Sequence, residues 1–200
     1  MPAKVRASLE RHAPGAAKIG ASSASAIPAY TVTARVLHWL IAALVLPMIA
    51  LGIIIANEWG GPVQQPLYDL HKSIGALLLP LVLVRLVYRL MNPPLPLPAD
   101  IPALQQFAAH ATHWTLYALL IVQPVVGLVA TSAYPAPLPM FGLFELPHVW
   151  PPNRPLSERL FVLHRWMGIA IAVVASIHIG AALQHHFLRR DRVLMRMLTG

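Results

Sequence analysis

Four long apolar stretches, separated by short polar or proline-rich segments, set the pattern of the chain. The first, residues 34–56, carries no charge after Arg35 and has about the length needed to cross roughly 30 Å of hydrocarbon at 1.5 Å per helical residue. A polar connection, 57–69, leads to the second, 70–91, which contains Arg85 and Arg89. The third, 107–132, lies in a stretch without Asp, Glu, Lys or Arg from Ile101 to Leu143, and the fourth, 160–188, contains only Arg165. These runs predict an all-α membrane protein, a four-transmembrane-helix bundle over residues 31–197, preceded by a mobile tail over 1–30 with no apolar run long enough for a signal peptide. Pro47, Pro80 and Pro124 fall near mid-span, where neighbouring helices re-satisfy freed backbone groups, and they predict kinks. The prolines of 93–98 end the second helix. Seven more between 134 and 157 predict a structured loop rather than a strand or long helix.

Composition agrees with a chain whose main solvent is lipid: 57% of residues are hydrophobic and 11% charged. The absence of cysteine removes thiolate metal sites, iron–sulfur ligation, covalent haem attachment and disulfides. A net charge of +8 invites a nucleic-acid reading, but the cations sit where membrane topology puts them. Lys4, Arg6, Arg11, Lys18 and Arg35 precede the first span, Arg85 and Arg89 close the second, and Arg189, Arg190, Arg192 and Arg196 follow the fourth. All fall on one side of a four-span topology; the other side has Lys72, Arg154, Arg159 and Arg165. By the positive-inside rule both termini are cytoplasmic, lipid is the surrounding partner, and no nucleic acid is expected.

Ionisable groups inside hydrocarbon are costly and mark function by default. His38 opens the first span, His71 opens the second, and His164 and His178 lie in the fourth. The last two are 14 residues apart, which separates them by roughly 21 Å along a helix and by only about 40° around it. Both project from one face at two depths. Topology then sets His164 level with His71 and His178 towards His38, giving two pairs of opposed imidazoles. Two opposed imidazoles are what a six-coordinate haem iron requires, and bundle cores hold such cofactors.

The neighbours of these histidines leave choices open. Gly75 and Gly168 follow His71 and His164 by four residues; they either admit a macrocycle or serve close helix packing. Arg85, 14 residues after His71, either meets a haem propionate or snorkels to the interface. Arg165 poses the same choice at the other level. His185, seven residues beyond His178, is either an interfacial anchor or a donor to a quinone carbonyl, which needs a hydrogen bond and a proton on reduction. His110 and His113 are expected at the interface or on a propionate, and His12 and His148 in solvent.

The residues resemble the bacterial cytochrome b561 family of the cytoplasmic membrane, over about 31–197. The likeness rests on Arg35-Val36-Leu37-His38-Trp39, on His71-Lys72-Ser73-Ile74-Gly75 and the arginines closing that span, and on His113 with Gln123-Pro124-Val125-Val126-Gly127-Leu128. Leu163-His164-Arg165-Trp166, His178 and Ala181-Ala182-Leu183-Gln184-His185-His186-Phe187 complete it. The resemblance implies two haem b groups, one on His38 and His178 and one on His71 and His164, in an oxidoreductase passing electrons between an outer-face donor and membrane quinone. For the superoxide-oxidising branch it implies superoxide as donor, ubiquinone as acceptor and a quinone site near His185. The basic outer side offers Lys72, Arg154, Arg159 and Arg165 to an anionic donor. An alternative is a membrane anchor and electron relay for a partner dehydrogenase or hydrogenase, docked on the proline-rich loop. A transporter or zinc channel is disfavoured because the spans carry almost no carboxylates.

Overall fold

The computed structural model describes residues 30–94, 96 and 101–199. The expected tail, 1–30, falls outside them except for Tyr30. Among the described residues four helices are long and apolar enough to cross a membrane: α1 (Val32–Ala56), α2 (Gln64–Met91), α3 (Ala103–Ala133) and α4 (Arg154–Gln184). A π turn, His185–Arg189, continues α4, and a short α5 (Met195–Leu198) follows. Pro47, Pro80 and Pro124 lie within unbroken helices.

All four helices start earlier than the apolar runs suggest, because caps and turns, not hydrophobicity, decide where they begin. A 3-10 turn at Gly61–Val63 feeds directly into α2, and the Gln64 side chain takes the Gly60 amide at 2.9 Å and donates to Ile55 O. Part of the expected polar connection is therefore helical. At α4, Asn153 accepts the Leu156 amide at 3.1 Å with Pro155 in the first turn, where a missing N–H costs nothing. The proline-rich loop is thus shorter than expected, and it contains a small hairpin, β1 (Pro139–Met140) paired antiparallel with β2 (Phe144–Glu145).

Packing runs round a ring, α1 on α2, α2 on α3, α3 on α4, with α4 closing loosely on α1. Ile41, Val45, Leu78, Val82, Tyr117 and Ile171 form the buried centre. Ile171 lies seven residues from both His164 and His178, so this apolar plug occupies the middle of the bundle between the two histidine levels. Large apolar side chains such as Leu40, Leu46, Val84, Val87, Val173 and Ile177 remain exposed on the outside, as a lipid-facing surface requires. Trp59, Trp150 and Trp166 are exposed towards one end and Trp39 and Trp114 towards the other, the places where indole rings anchor a membrane protein at its interfaces.

At the end where the termini meet, Trp39 Nε1 donates to Met197 O at 3.0 Å, Arg196 donates to Pro96 O at 3.0 Å, and the Tyr30 amide donates to Arg196 O. The chain after α4 is thereby folded under the bundle. At the opposite, hairpin end, Ser73 is buried and its hydroxyl donates to Pro139 O at 2.8 Å and accepts the Phe141 amide at 2.9 Å; it is also within 2.8 Å of Asp69 O. Lys72 donates to Pro137 O at 2.8 Å. The hairpin is latched over the start of α2. Buried Ser157 similarly donates to Ala130 O at 2.8 Å, joining α4 to α3.

Replacing Ser73 with Ala removes the partner of the Phe141 amide and of Pro139 O in a part-buried contact. Ser73→Ala is expected to cost about 1–3 kcal/mol, measured as a lowered unfolding transition in detergent; an unchanged transition would mean that the latch adds no stability.

Candidate functional site

Each helix brings residues to the bundle interior at two levels. Near the hairpin end, the rings of His71 on α2 and His164 on α4 face each other with centroids 6.0 Å apart and planes at 73°. Near the terminal end, His38 on α1 and His178 on α4 are 6.1 Å apart at 76°. The four histidines thus pair as expected, at two depths.

The separations carry chemical meaning. Two metal–imidazole bonds of about 2 Å, with about 1 Å from each nitrogen to its ring centre, put two axial imidazoles of one metal about 6 Å apart, centre to centre. Both pairs are spaced for an ion between the rings. Among the described residues no three His, Asp or Glu side chains converge as a bare-metal site would need, whereas a macrocycle supplies its own four donors and asks the protein for two.

Second contacts fix the His164 ring of the hairpin-end pair. His164 Nδ1–H donates to the Gln123 carbonyl at 3.1 Å, and the Gln123 side chain donates back to the His164 carbonyl at 3.0 Å. That bond holds Nε2 as the free nitrogen, the usual arrangement for a metal-binding imidazole. Among the described residues nothing hydrogen-bonds to the buried His71 Nδ1, a cost that is met when a bound group engages that nitrogen. Gly127 makes room: a Cβ there would lie 2.9 Å from His164 Cε1, and one at Gly52 would lie 3.7 Å from His71 Cε1. The glycines singled out from sequence meet side chains of neighbouring helices. Positions 75 and 168 face Met48 Cε and Gln123 Nε2, so their contacts are with flanking side chains.

At the terminal-end pair His113 joins the cluster, its ring 5.1 Å from that of His178. Arg85 reaches across from α2, donating to the Ala34 carbonyl of α1 at 3.0 Å and lying 6.0 Å from the Tyr117 ring centre. It therefore ties α2 to α1 one turn before His38, and Arg89 stacks near Trp114 and Tyr117. His185 lies further along, half-buried, with Nδ1 on the Asp191 carboxylate at 2.5 Å. Partial burial would raise that carboxyl, but the His185 bond, the Val193 amide and the charge of Arg189 outweigh it and hold Asp191 below the usual carboxylate range.

Of the other histidines, His110 donates to Gln106 O at 2.7 Å. His148 is exposed but donates to Ala136 O at 3.0 Å, so it stitches the loop rather than standing free in solvent. His12 lies outside the described residues. The basic rim at the hairpin end is partly committed: Lys72 pairs with Asp69 at 2.8 Å, and Arg154 pairs with Glu158 while lying 5.6 Å from the Tyr134 ring centre. Arg159 and Arg165 are exposed.

Sequence reasoning missed the roles of Gln123, Gly127, His113 and Asp191. One signal was available for two of them, since His113 and Gly127 repeat on α3 the 14-residue interval of His164 and His178.

A family model described as prokaryotic cytochrome b561 matches residues 29–200. The chain is 33% identical to cytochrome b561 homolog 2 of Escherichia coli over 84% of its own length and 90% of that protein. It is 29% identical to the probable superoxide oxidase CybB of Yersinia pestis, over 81% and 91%, and 28% identical to cytochrome b561 homolog 1 of Escherichia coli, over 81% and 92%.

A methyl group at position 127 must push on the His164 ring, whereas one at Gly180 meets nothing within 4 Å. Gly127→Ala is therefore expected to lower the haem recovered per chain by pyridine haemochrome assay and Gly180→Ala to leave it unchanged; equal recovery from both would detach Gly127 from the site.

Proposed function

The chain belongs to the prokaryotic cytochrome b561 family, and on that premise we propose that it is a dihaem cytochrome carrying electrons between a donor at the outer face and membrane quinone. It is a multi-pass protein of the bacterial inner membrane, and haem b is the cofactor its family implies. The observation that carries the proposal is the pair of imidazole separations, 6.0 and 6.1 Å, at two levels of one apolar bundle.

In this reading His71 and His164 hold one haem b and His38 and His178 the other. Haem bound between each pair would supply one-electron oxidation and reduction of its iron, in steps small enough to link a one-electron donor to a two-electron quinone. The chain's own side chains do the rest. Gln123 keeps the His164 ring oriented through its carbonyl, and Gly127 gives that ring space. The apolar plug around Ile171 and Val82 keeps water out between the levels. Arg85 has guanidinium donors beyond the one given to Ala34, and these suit a propionate carboxylate.

The positive-inside distribution supports a cytoplasmic terminal end, and with it a cytoplasmic His38 level. The hairpin end then faces outward, where exposed Arg159 and Arg165 draw an anionic donor. Superoxide is such an anion, and the name of the Yersinia pestis relative supports it as the donor. His185, near the cytoplasmic boundary, donates to a quinone carbonyl. A second reading, an anchor and relay for a redox partner, draws support from the exposed side chains of Phe141, Leu143 and Phe144 in the outer loop; co-purification of a partner, and loss of electron transfer without it, would favour that version.

Purified protein is expected to contain two haems per chain, to be reduced by superoxide in a stopped-flow experiment and to be reoxidised by added ubiquinone. Absence of reduction by superoxide would remove that donor, and reduction that quinone cannot reverse would remove the acceptor. His71→Ala and His164→Ala are each expected to remove the same single haem, and His38→Ala and His178→Ala the other; a mixed pattern in the separated spectra would refute the pairing.

A further inference from the structure

Where α4 ends, three departures from regular helix coincide. The helix widens into the π turn His185–Arg189. Arg190, a non-glycine residue, then adopts a left-handed conformation with φ 54°. Asp191 turns back so that one carboxylate oxygen accepts from His185 Nδ1 while the other accepts the Val193 amide at 3.0 Å. Residues six apart on an uninterrupted α-helix lie about 240° apart around its axis, so this contact exists only because the chain departs from the helix. The carboxylate is further held by Arg189, whose Nε lies 3.6 Å away and whose Nη1 donates to Gln105 of α3 at 3.1 Å. π turns and left-handed non-glycine residues persist where the surroundings over-determine them, and they concentrate at functional sites.

The chemistry of the contact is specific. With Nδ1–H committed to a carboxylate, only Nε2 of His185 remains to meet a ligand, and the ring can rotate little. A proton on Nε2 would then point away from Asp191, towards whatever ligand meets the ring. His185 is two turns, roughly 10 Å, beyond His178 on nearly the same face of α4.

We propose that Asp191 is the positioning residue of the quinone site: it fixes the tautomer and orientation of His185 so that Nε2–H is presented to a quinone oxygen. This rests on the reading that quinone meets His185. At the quinone oxygen that faces His185, one proton leaves Nε2 and forms an O–H bond as electrons arrive by the proposed electron transfer, while the other carbonyl oxygen, across the quinone ring, takes its proton from water. The ring, now neutral, keeps its Nδ1–H on Asp191 and recovers a proton at Nε2 from cytoplasmic water. Two electrons, one proton from His185 and one from water convert the two C=O groups of the quinone to the two C–OH groups of its quinol. The charged side chain facing the carboxylate is Arg189; Gln105, which holds that arginine from α3, is neutral.

The test uses the full haem-loaded chain in nanodiscs, chemically pre-reduced and mixed with a short-chain ubiquinone. Reoxidation is followed in wild type, His185→Gln, Asp191→Asn, Asp191→Glu and the double variant that combines His185→Gln with Asp191→Asn. Asp191→Asn is expected to lower the limiting rate by about tenfold or more with little change in KM, to alter the pH profile of that rate, and to add nothing when combined with His185→Gln. Asp191→Glu, which keeps the carboxylate, should recover much of the rate and shows that the loss is not one of folding. 15N spectra of labelled histidine, which need no turnover, should show His185 protonated at Nδ1 in wild type and redistributed in Asp191→Asn. A slow His185→Gln beside an unimpaired Asp191→Asn would overturn the inference and leave the quinone reading standing. Unimpaired rates in both would overturn the quinone reading itself.

Discussion

An imidazole buried in an apolar bundle is expensive unless something binds it, and four of them buried in facing pairs are more so. That constraint organises the molecule. The chain keeps His71 opposite His164 and His38 opposite His178 at about the span of a shared metal, and much of the remaining interior can be described by what it does for those rings. α4 supplies one histidine to each pair, so its rotation and depth decide both levels at once. Gln123 fixes that helix through its backbone and through the His164 ring, and Ser157 fixes its start to α3. α4 closes only loosely on α1.

The two ends of the bundle are finished differently. At the hairpin end Ser73 and Lys72, the two residues after His71, tie the loop over α2, so the chain that covers this level is anchored next to the residue it covers. At the terminal end the segment after α4 folds under the helices and is held by Trp39, the residue after His38. In both cases a neighbour of a histidine holds the cover. The apolar cluster around Val82 and Ile171 lies between the two covered ends.

Much of this was legible in the sequence because its governing rules are one-dimensional. Uninterrupted apolar length marks a span, and an interval of 14 residues marks two levels on one face. That interval recurs on all four helices, as His38 and Gly52, His71 and Arg85, His113 and Gly127, and His164 and His178, each helix offering one residue to either level. The histidine pairing follows from it. What escaped were features set by contacts between helices. Gly75 and Gly168 have the expected spacing yet face Met48 and Gln123, because helix rotation against a neighbour decides which small residue meets the ring. The starts of α2 and α4 lie in polar sequence, where Gln64 and Asn153 cap them, so hydropathy placed them late. Asp191 meets His185 only through a π turn, which periodicity cannot anticipate.

Everything rests on each imidazole pair gripping one iron. Electron paramagnetic resonance of the oxidised, purified protein tests this most directly, because axial ligation determines the spin state of ferric haem. The account requires two low-spin signals of equal weight, each from bis-imidazole iron with its ligand planes far from parallel, as the interplanar angles of 73° and 76° indicate. A high-spin, five-coordinate signal, or only one low-spin species per chain, would contradict it.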